Sequence, residues 1–418
     1  MNGQRLATLL AAAVLLAWTS TGSAQALKGY QAKATVGAPT RIDWTFALGN
    51  RSLEKAPANW LPGDYDSKKQ QYELFVPPTY DPKQSYPLVL FISPGNGPGG
   101  WKEWEPVCKQ ANAIFAAPYG AGNDVDFKKR VRIVLDVLDD LRRNYNIDPD
   151  RTYLTGFSGG GRIAGHIGFS LPEYVGGVAP ICATGDLRDE TWLQHRMIDR
   201  LSVALVTGDT DFNRGECERL KGPWLTDMGV RTKVFVTPKL GHGVPGGAAL
   251  AEVFKWLEDG VAKRRELAKK YPAMHVVGNG VPTRGEQAKA MLDEGKLRLQ
   301  AKETTLSGLM LLLGTAIRWN DLPPGIEAAS IVKEYDAKPV KPWDDEYNAE
   351  ERKFALARAN GLADYATGPL PPQYAKEREN WARTAVQLYA ALVKDGKDPK
   401  AAEEAKKRLP ELQKVLKQ

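Results

Sequence analysis

Cysteine and histidine are scarce in this chain, which has three of the first and four of the second in 418 residues. Cys108, Cys182 and Cys217 stand far apart, no Cys-x-x-Cys occurs, and no histidine neighbours any of them, a pattern that speaks against a zinc site. No metal and no cofactor are expected. Long apolar runs are also lacking beyond the N-terminus. The best of them, residues 306–317, is too short to span a bilayer and reads as a buried helix, so no stable membrane insertion is expected. A basic block is missing as well. The 57 lysines and arginines are interspersed with 50 acids, and the net charge of +7 reads as a solvated surface with no nucleic-acid partner.

What is present begins with residues 1–26. Arg5, an apolar stretch over 6–18 and the small-residue ending Gly-Ser-Ala-Gln-Ala read as a secretory signal cleaved after Ala24 or Ala26. The mature protein is therefore expected to be secreted or periplasmic. An oxidising compartment permits one disulfide. The expected pair is Cys182 with Cys217, at the ends of what read as neighbouring strands, with Cys108 free in a buried helix. The length exceeds what one hydrophobic core usually supports, and two regions are expected, 27–264 and 265–418.

In the first region strands and helices alternate. Residues 40–47 place Ile42, Trp44 and Phe46 on one face and, with 71–76, predict two antiparallel opening strands. Residues 86–92 form a continuous apolar run, as in a strand buried on both faces, and end in the glycine-rich loop 93–100. Helices are predicted around 104–111, from Asp126 through Tyr145, and over 248–256. Further strands are predicted at 113–117, 175–182, 202–207 and 231–237. The alternation implies a mostly parallel sheet with helices on both faces. The second region is helical in pattern. Residues 316–335 and 391–412 resemble each other weakly, and a helical-hairpin repeat or an irregular bundle both fit. Pro410 is expected to kink or shorten the last helix, and these helices are candidates for binding a protein partner of unknown kind. The chemistry is expected not to need them.

The chemical signal is Gly156-Phe157-Ser158-Gly159-Gly160, a glycine-flanked serine where a strand gives way to a helix. A nucleophilic serine has to stand exposed on such a turn, where the backbone passes too close for side chains at the flanking positions. The helix that follows offers unpaired N–H groups, Gly159 first, to negative charge forming beside the serine. An acid after the next strands and a histidine beyond them complete a Ser, Asp, His order. His242, in a glycine-flanked loop after the last strand, is the histidine that fits. Asp209 and Asp211 both follow the strand 202–207, and Asp211 is preferred because Asp209 falls where a turn would claim it. The expected triad is Ser158, Asp211 and His242. A second oxyanion donor is expected from Gly95 or Asn96, because Pro94 has no N–H. Trp101, Trp104 and Trp192 are candidate substrate contacts.

Residues 72–78, 87–92 and 146–161, with Asn-Ile-Asp-Pro-Asp-Arg leading into Gly-Phe-Ser-Gly-Gly-Gly, resemble the secreted polyhydroxybutyrate-depolymerase and feruloyl-esterase type of α/β-hydrolase. The resemblance covers about residues 71–259. It implies the α/β-hydrolase fold, here followed by an all-helical C-terminal region. It also implies serine esterase chemistry on polymeric or oligomeric hydroxycinnamoyl, acetyl or polyester links, and places the triad acid last in a Gly-x-x-Asp pattern, at Asp211. Ser93-Pro94-Gly95 stands where that family usually has a His-Gly pair. The alternatives are a serine peptidase of the same fold and a hydrolase-like binding protein without activity.

Overall fold

The computed structural model describes residues 27–63, 65–271 and 283–417. The expected signal segment, residues 1–26, lies outside the described residues. Eight strands form one sheet: β1 (Gly29–Thr35), β2 (Gln71–Val76), β3 (Tyr86–Ile92), β4 (Ile114–Pro118), β5 (Ile147–Phe157), β6 (Gly177–Ile181), β7 (Ser202–Gly208) and β8 (Arg231–Thr237). Their order is β1-β2-β4-β3-β5-β6-β7-β8, with β1 and β2 antiparallel to their neighbours and β4, β3, β5, β6, β7 and β8 parallel. This is the α/β-hydrolase arrangement.

The continuous apolar runs follow from that position. β3 and β7 are buried at every residue. Alternate side chains of β3 face opposite ways, as the strand period of two requires. Leu88, Leu90 and Ile92 enter one core and Val89 and Phe91 the other. Helices α1 (Trp101–Ala111) and α6 (Gly247–Asp259) close the second core. On the opposite face lie α2 (Phe127–Asn144), α3 (Gly159–Ser170), α4 (Thr191–Arg200) and α5 (Gly222–Met228). Asp126 caps α2, its carboxylate accepting the N–H groups of Lys128 and Lys129.

Residues 40–47, expected as a strand, form no strand; the first strand is β1 instead. The alternation marked burial correctly, since Ile42, Trp44 and Phe46 are in the core. The backbone, however, is pinned to α2. Gly37, Thr40 and Arg41 donate their N–H groups to Asp140 (2.8 Å), Asp136 (2.8 Å) and Asp139 (2.6 Å). These three carboxylates are buried and supply acceptors that a neighbouring strand would otherwise have supplied.

Helix α7 (Val261–Lys270) leads to six more: α8 (Arg284–Arg298), α9 (Thr305–Arg318), α10 (Pro323–Asp336), α11 (Pro342–Thr367), α12 (Arg378–Asp395) and α13 (Pro399–Val415). Residues 306–317 are indeed helical, within α9. α13 continues through Pro410 instead of ending there. These helices do not form a core of their own alone. Met291, Met310, Trp319, Phe354, Tyr389 and Leu412 belong to the same buried cluster as β3, α2 and α3. Polar contacts reinforce the junction. Arg318, fully buried at the end of α9, pairs with Asp43 at 3.0 Å and Glu173 at 2.7 Å. Arg298 of α8 pairs with Asp199 of α4 at 3.0 Å. The C-terminal region is therefore an outer layer on one face of the sheet, sharing its buried core rather than standing apart from it.

Candidate active site

β5 stops at Phe157 and α3 starts at Gly159, so Ser158 alone makes the turn, with φ 51° and ψ −120°. Positive φ is uncommon for a residue with a side chain and costs about 1–3 kcal/mol, a strain that structures retain mainly at functional sites. The turn also presses against β3. A Cβ on Gly160 would lie 2.0 Å from the Ile92 carbonyl oxygen, and one on Gly156 would lie 2.6 Å from it. Both positions therefore exclude any residue but glycine. The Ser158 N–H donates to Ile181 O at 2.8 Å, fixing the turn to β6 and leaving the side chain at the C-terminal edge of the sheet.

The loop after β8 brings His242 to this serine. His242 Nε2 lies 3.0 Å from Ser158 Oγ, and Nδ1 lies 2.8 Å from Asp211 Oδ1. A carboxylate can only accept, so Nδ1 carries the proton and Nε2 presents a lone pair to the serine hydroxyl. The Asp211 side chain is fully buried. Its Oδ1 also accepts the Asn213 N–H at 3.0 Å, and its Oδ2 accepts the Thr207 hydroxyl at 2.7 Å. Asp209 is used differently: its Oδ2 accepts the Lys239 N–H at 2.9 Å. The acid loop and histidine loop are joined by backbone as well, because both the N–H and the hydroxyl of Thr210 reach Leu240 O at 3.1 Å. The His242 ring stacks on Phe212 with centroids 4.1 Å apart, and Phe157 lies 4.9 Å away.

All three cysteines are free and buried, so the expected Cys182–Cys217 bridge is corrected. The two sulfurs expected to pair face carbonyl oxygens instead. Cys182 Sγ donates to Gly243 O at 3.3 Å and Cys217 Sγ to Ala183 O at 3.8 Å. Burial, and then the adjacent Asp211, push the Cys182 thiol up to about 12. Cys182, Asp211 and His242 are the one grouping of metal-ligand type among the described residues, with ligand atoms all within 4.8 Å. Two of those atoms already face each other across the Asp211–His242 hydrogen bond.

The oxyanion side is built from two loops. Gly159 is the first residue of α3, so its N–H has no acceptor one turn earlier within the helix. Gly95 donates its N–H to Ser93 Oγ at 3.1 Å. The Asn96 side chain accepts the Gly122 N–H at 3.1 Å and donates to Asp124 at 3.0 Å. Asn96 thus staples its loop to residues 120–124. That second loop places Asn123 directly against Gly159, where a Cβ would lie 1.8 Å from Asn123 Oδ1.

The three tryptophans stand elsewhere. Trp104 and Trp192 are buried core residues, Trp192 against Phe46, and neither offers a face to substrate. Trp101 is partly buried among Tyr30, Phe75 and Phe115 on the β1–β2–β4 side. A large aromatic after a loop carries the same local pattern whether it points out or packs inward. His166 and His195 are also outside the site. His166 Nε2 bonds Ala47 O at 2.7 Å, and His195 lies within α4.

Residues that the sequence reading did not single out complete the surroundings. Arg162, one turn beyond Ser158, forms a two-pronged pair with Glu216 at 2.6 and 2.8 Å and donates to the Tyr374 hydroxyl at 2.9 Å. The Thr184 hydroxyl joins Glu216 at 2.6 Å. Glu216 and its neighbours form a π-helical turn, Glu216–Lys221, and Tyr374 lies in the 3-10 turn Pro372–Glu377 of the C-terminal region. Asn123, Phe212, Arg162 and Tyr374 belong to no local motif. Only Asn123 and Phe212 carried a signal, their position just after strands of a parallel sheet.

No family model matches the chain, and no curated protein matches it. Among solved structures it is similar to a thermostable esterase at 21% identity, over 46% of this chain and 60% of that one, with a TM-score of 0.33. It is similar to S-formylglutathione hydrolase from Staphylococcus aureus at 9% identity, over 47% of this chain and 94% of that one, with a TM-score of 0.37. It is similar to a ferulic acid esterase at 13% identity, over 47% and 94% of the two chains, with a TM-score of 0.37. Likenesses this distant assign no activity to this chain.

Proposed function

We propose that this protein is a serine hydrolase of carboxylic esters that works through an acyl-enzyme. The observation that carries the reading is the relay from Asp211 through His242 to Ser158, at 2.8 and 3.0 Å, with the serine held at positive φ. Ser158 Oγ attacks the ester carbonyl carbon while its proton passes to His242 Nε2. Asp211 stabilises the imidazolium through Nδ1–H. Charge on the carbonyl oxygen is met by the Gly159 N–H and by the backbone N–H of Asn96, that of Gly95 being taken by Ser93 Oγ. As the carbon–oxygen bond to the alcohol breaks, Nε2 returns the proton to the departing oxygen. Water then repeats the sequence on the acyl-enzyme and releases the acid. No step requires a metal.

The finer reading is an exported enzyme acting on polymeric or oligomeric esters with hydroxycinnamoyl, acetyl or polyester links. Its support is the character of residues 1–26 and the resemblance over residues 71–259. Assay of the full chain on p-nitrophenyl esters of increasing acyl length and on methyl ferulate tests it, with Ser158→Ala as control. Loss of several orders of magnitude in kcat/KM is expected for that variant. Retention of more than about a tenth of the activity would remove Ser158 from the chemistry. Labelling by an organophosphorus fluoride in the wild type but not in Ser158→Ala distinguishes a working hydrolase from an inactive homologue of its fold.

A further inference from the structure

Beside the triad a cleft of about 370 Å³ opens between the acid-bearing loop and the C-terminal region. Phe212, Arg214, Glu218 and Arg219 line one wall, Pro369 and Pro371 the other. We infer that this cleft receives the alcohol part of the ester, and that Arg219 selects alcohols carrying a carboxylate. The inference rests on the esterase reading above.

The reaction itself orients an ester toward this cleft. The carbonyl oxygen turns to the Gly159 N–H, whereas the departing oxygen must face His242 Nε2 to recover a proton. Phe212 stacks on the His242 ring and is 48% exposed, so it forms the surface that the alcohol crosses between Nε2 and the cleft.

The charges of the cleft then separate into paired and unpaired. Arg214 and Glu218 neutralise each other at 2.8 Å. Arg219 forms no ion pair among the described residues. It donates to two backbone carbonyls, of Asp364 at 3.1 Å and of Pro369, and lies over the Tyr365 ring. Its guanidinium also passes directly over two glycines. A Cβ on Gly215 would lie 2.4 Å from Nη2, and one on Gly368 would lie 1.5 Å from Nη1. The backbone therefore fixes this cation in place without neutralising it. Two of its five N–H donors are used, and a planar fork held this way suits a carboxylate oxygen pair.

The test compares kcat/KM of the full-length protein for 4-carboxyphenyl acetate and for the methyl ester of the same compound, which is neutral and of similar shape. Wild type is expected to favour the carboxylate about five-fold, as for one partly exposed ion pair, chiefly through KM and decreasingly as salt is added. Arg219→Gln should bring the ratio to about one, and Arg219→Lys, which keeps the charge but loses the fork, should hold it above one. Phenyl hydrogen succinate, with its carboxylate on the acyl side, should show no such preference over its methyl ester. A wild-type ratio of one, a preference indifferent to salt, a preference that survives Arg219→Gln, or one that follows the acyl carboxylate would each overturn the inference. Hydrolysis of neither acetate, together with none of the p-nitrophenyl esters or methyl ferulate, would instead overturn the esterase reading on which it depends.

Discussion

Replacing Asp211 by asparagine removes a charge while leaving the shape of the site, and the local hydrogen bonds determine what else changes. Asp211 Oδ1 receives two N–H groups, from His242 Nδ1 and from Asn213, whereas among the described residues Oδ2 receives the Thr207 hydroxyl alone. An asparagine amide has one oxygen, which therefore takes the Oδ1 position, and its NH₂ faces Thr207, whose hydroxyl can rotate to accept. The correct imidazole tautomer is preserved in that orientation. What is lost is the attraction between carboxylate and imidazolium when the serine proton is transferred. For charge centres about 4 Å apart at an effective dielectric of about 20 this is roughly 4 kcal/mol, or about 10³ in kcat. Steady-state hydrolysis of p-nitrophenyl acetate measures it. Adding Thr207→Val to Asp211→Asn should lower kcat further, because the NH₂ then has no acceptor and the amide can flip to present it to Nδ1. Asp209→Asn should stay within about three-fold of wild type, since an amide oxygen can still accept the Lys239 N–H. A kcat for Asp211→Asn above a tenth of wild type, or a thousand-fold loss in Asp209→Asn instead, would refute this account of the acid.

Ending the chain near residue 267 should leave it unable to fold cooperatively, because the buried cluster shared with α8 to α13 is cut open; a melt followed by circular dichroism checks this. Within the full chain, Arg318→Leu should cost about 3–5 kcal/mol in urea unfolding, since Asp43 and Glu173 would be left buried without their cation. Gly159→Ala should reduce kcat with little change in fold, its methyl colliding with the exposed Asn123 side chain 1.8 Å away, and kinetics with far-UV circular dichroism separate the two effects. Without reductant all three thiols should resist a thiol reagent in the native protein and react once it is unfolded; burial raises each of them, and a persistent disulfide would leave only one reactive. Burial also lowers His166 from its ordinary value of 6.5. Its contribution to stability is therefore complete above that value and lost as pH falls through the lower folded one, so Tm should fall on acidification and fall less steeply in His166→Gln.

Much of this fold was legible in the sequence because its determinants are local. β3 and β7 read as continuous apolar runs since each is buried on both faces. The stripe from Val131 to Leu141 read as a helix since its period is 3.6. The turn at Ser158 was marked by glycines whose absent side chains are a local requirement of the close approach to Ile92. What the tertiary structure decided depends on partners far away along the chain. Residues 40–47 alternate like a strand, yet the N–H groups of Thr40 and Arg41 are taken by carboxylates on α2 almost 100 positions later, and those of Trp44, Phe46 and Ala47 close local turns. Gly-Asp-Thr-Asp offers two acids of equal reach, and the choice between them is made by the Lys239 N–H and the His242 ring, which arrive on another loop. Cys182 and Cys217 end up facing carbonyls, and Trp104 and Trp192 point inward, because orientation follows from packing that no periodicity records. The C-terminal helices read as separate since their amphipathic faces do not name what they cover. The folded chain lays those faces against the core beside the sheet, and puts Tyr374 within hydrogen-bond reach of Arg162, one turn from Ser158.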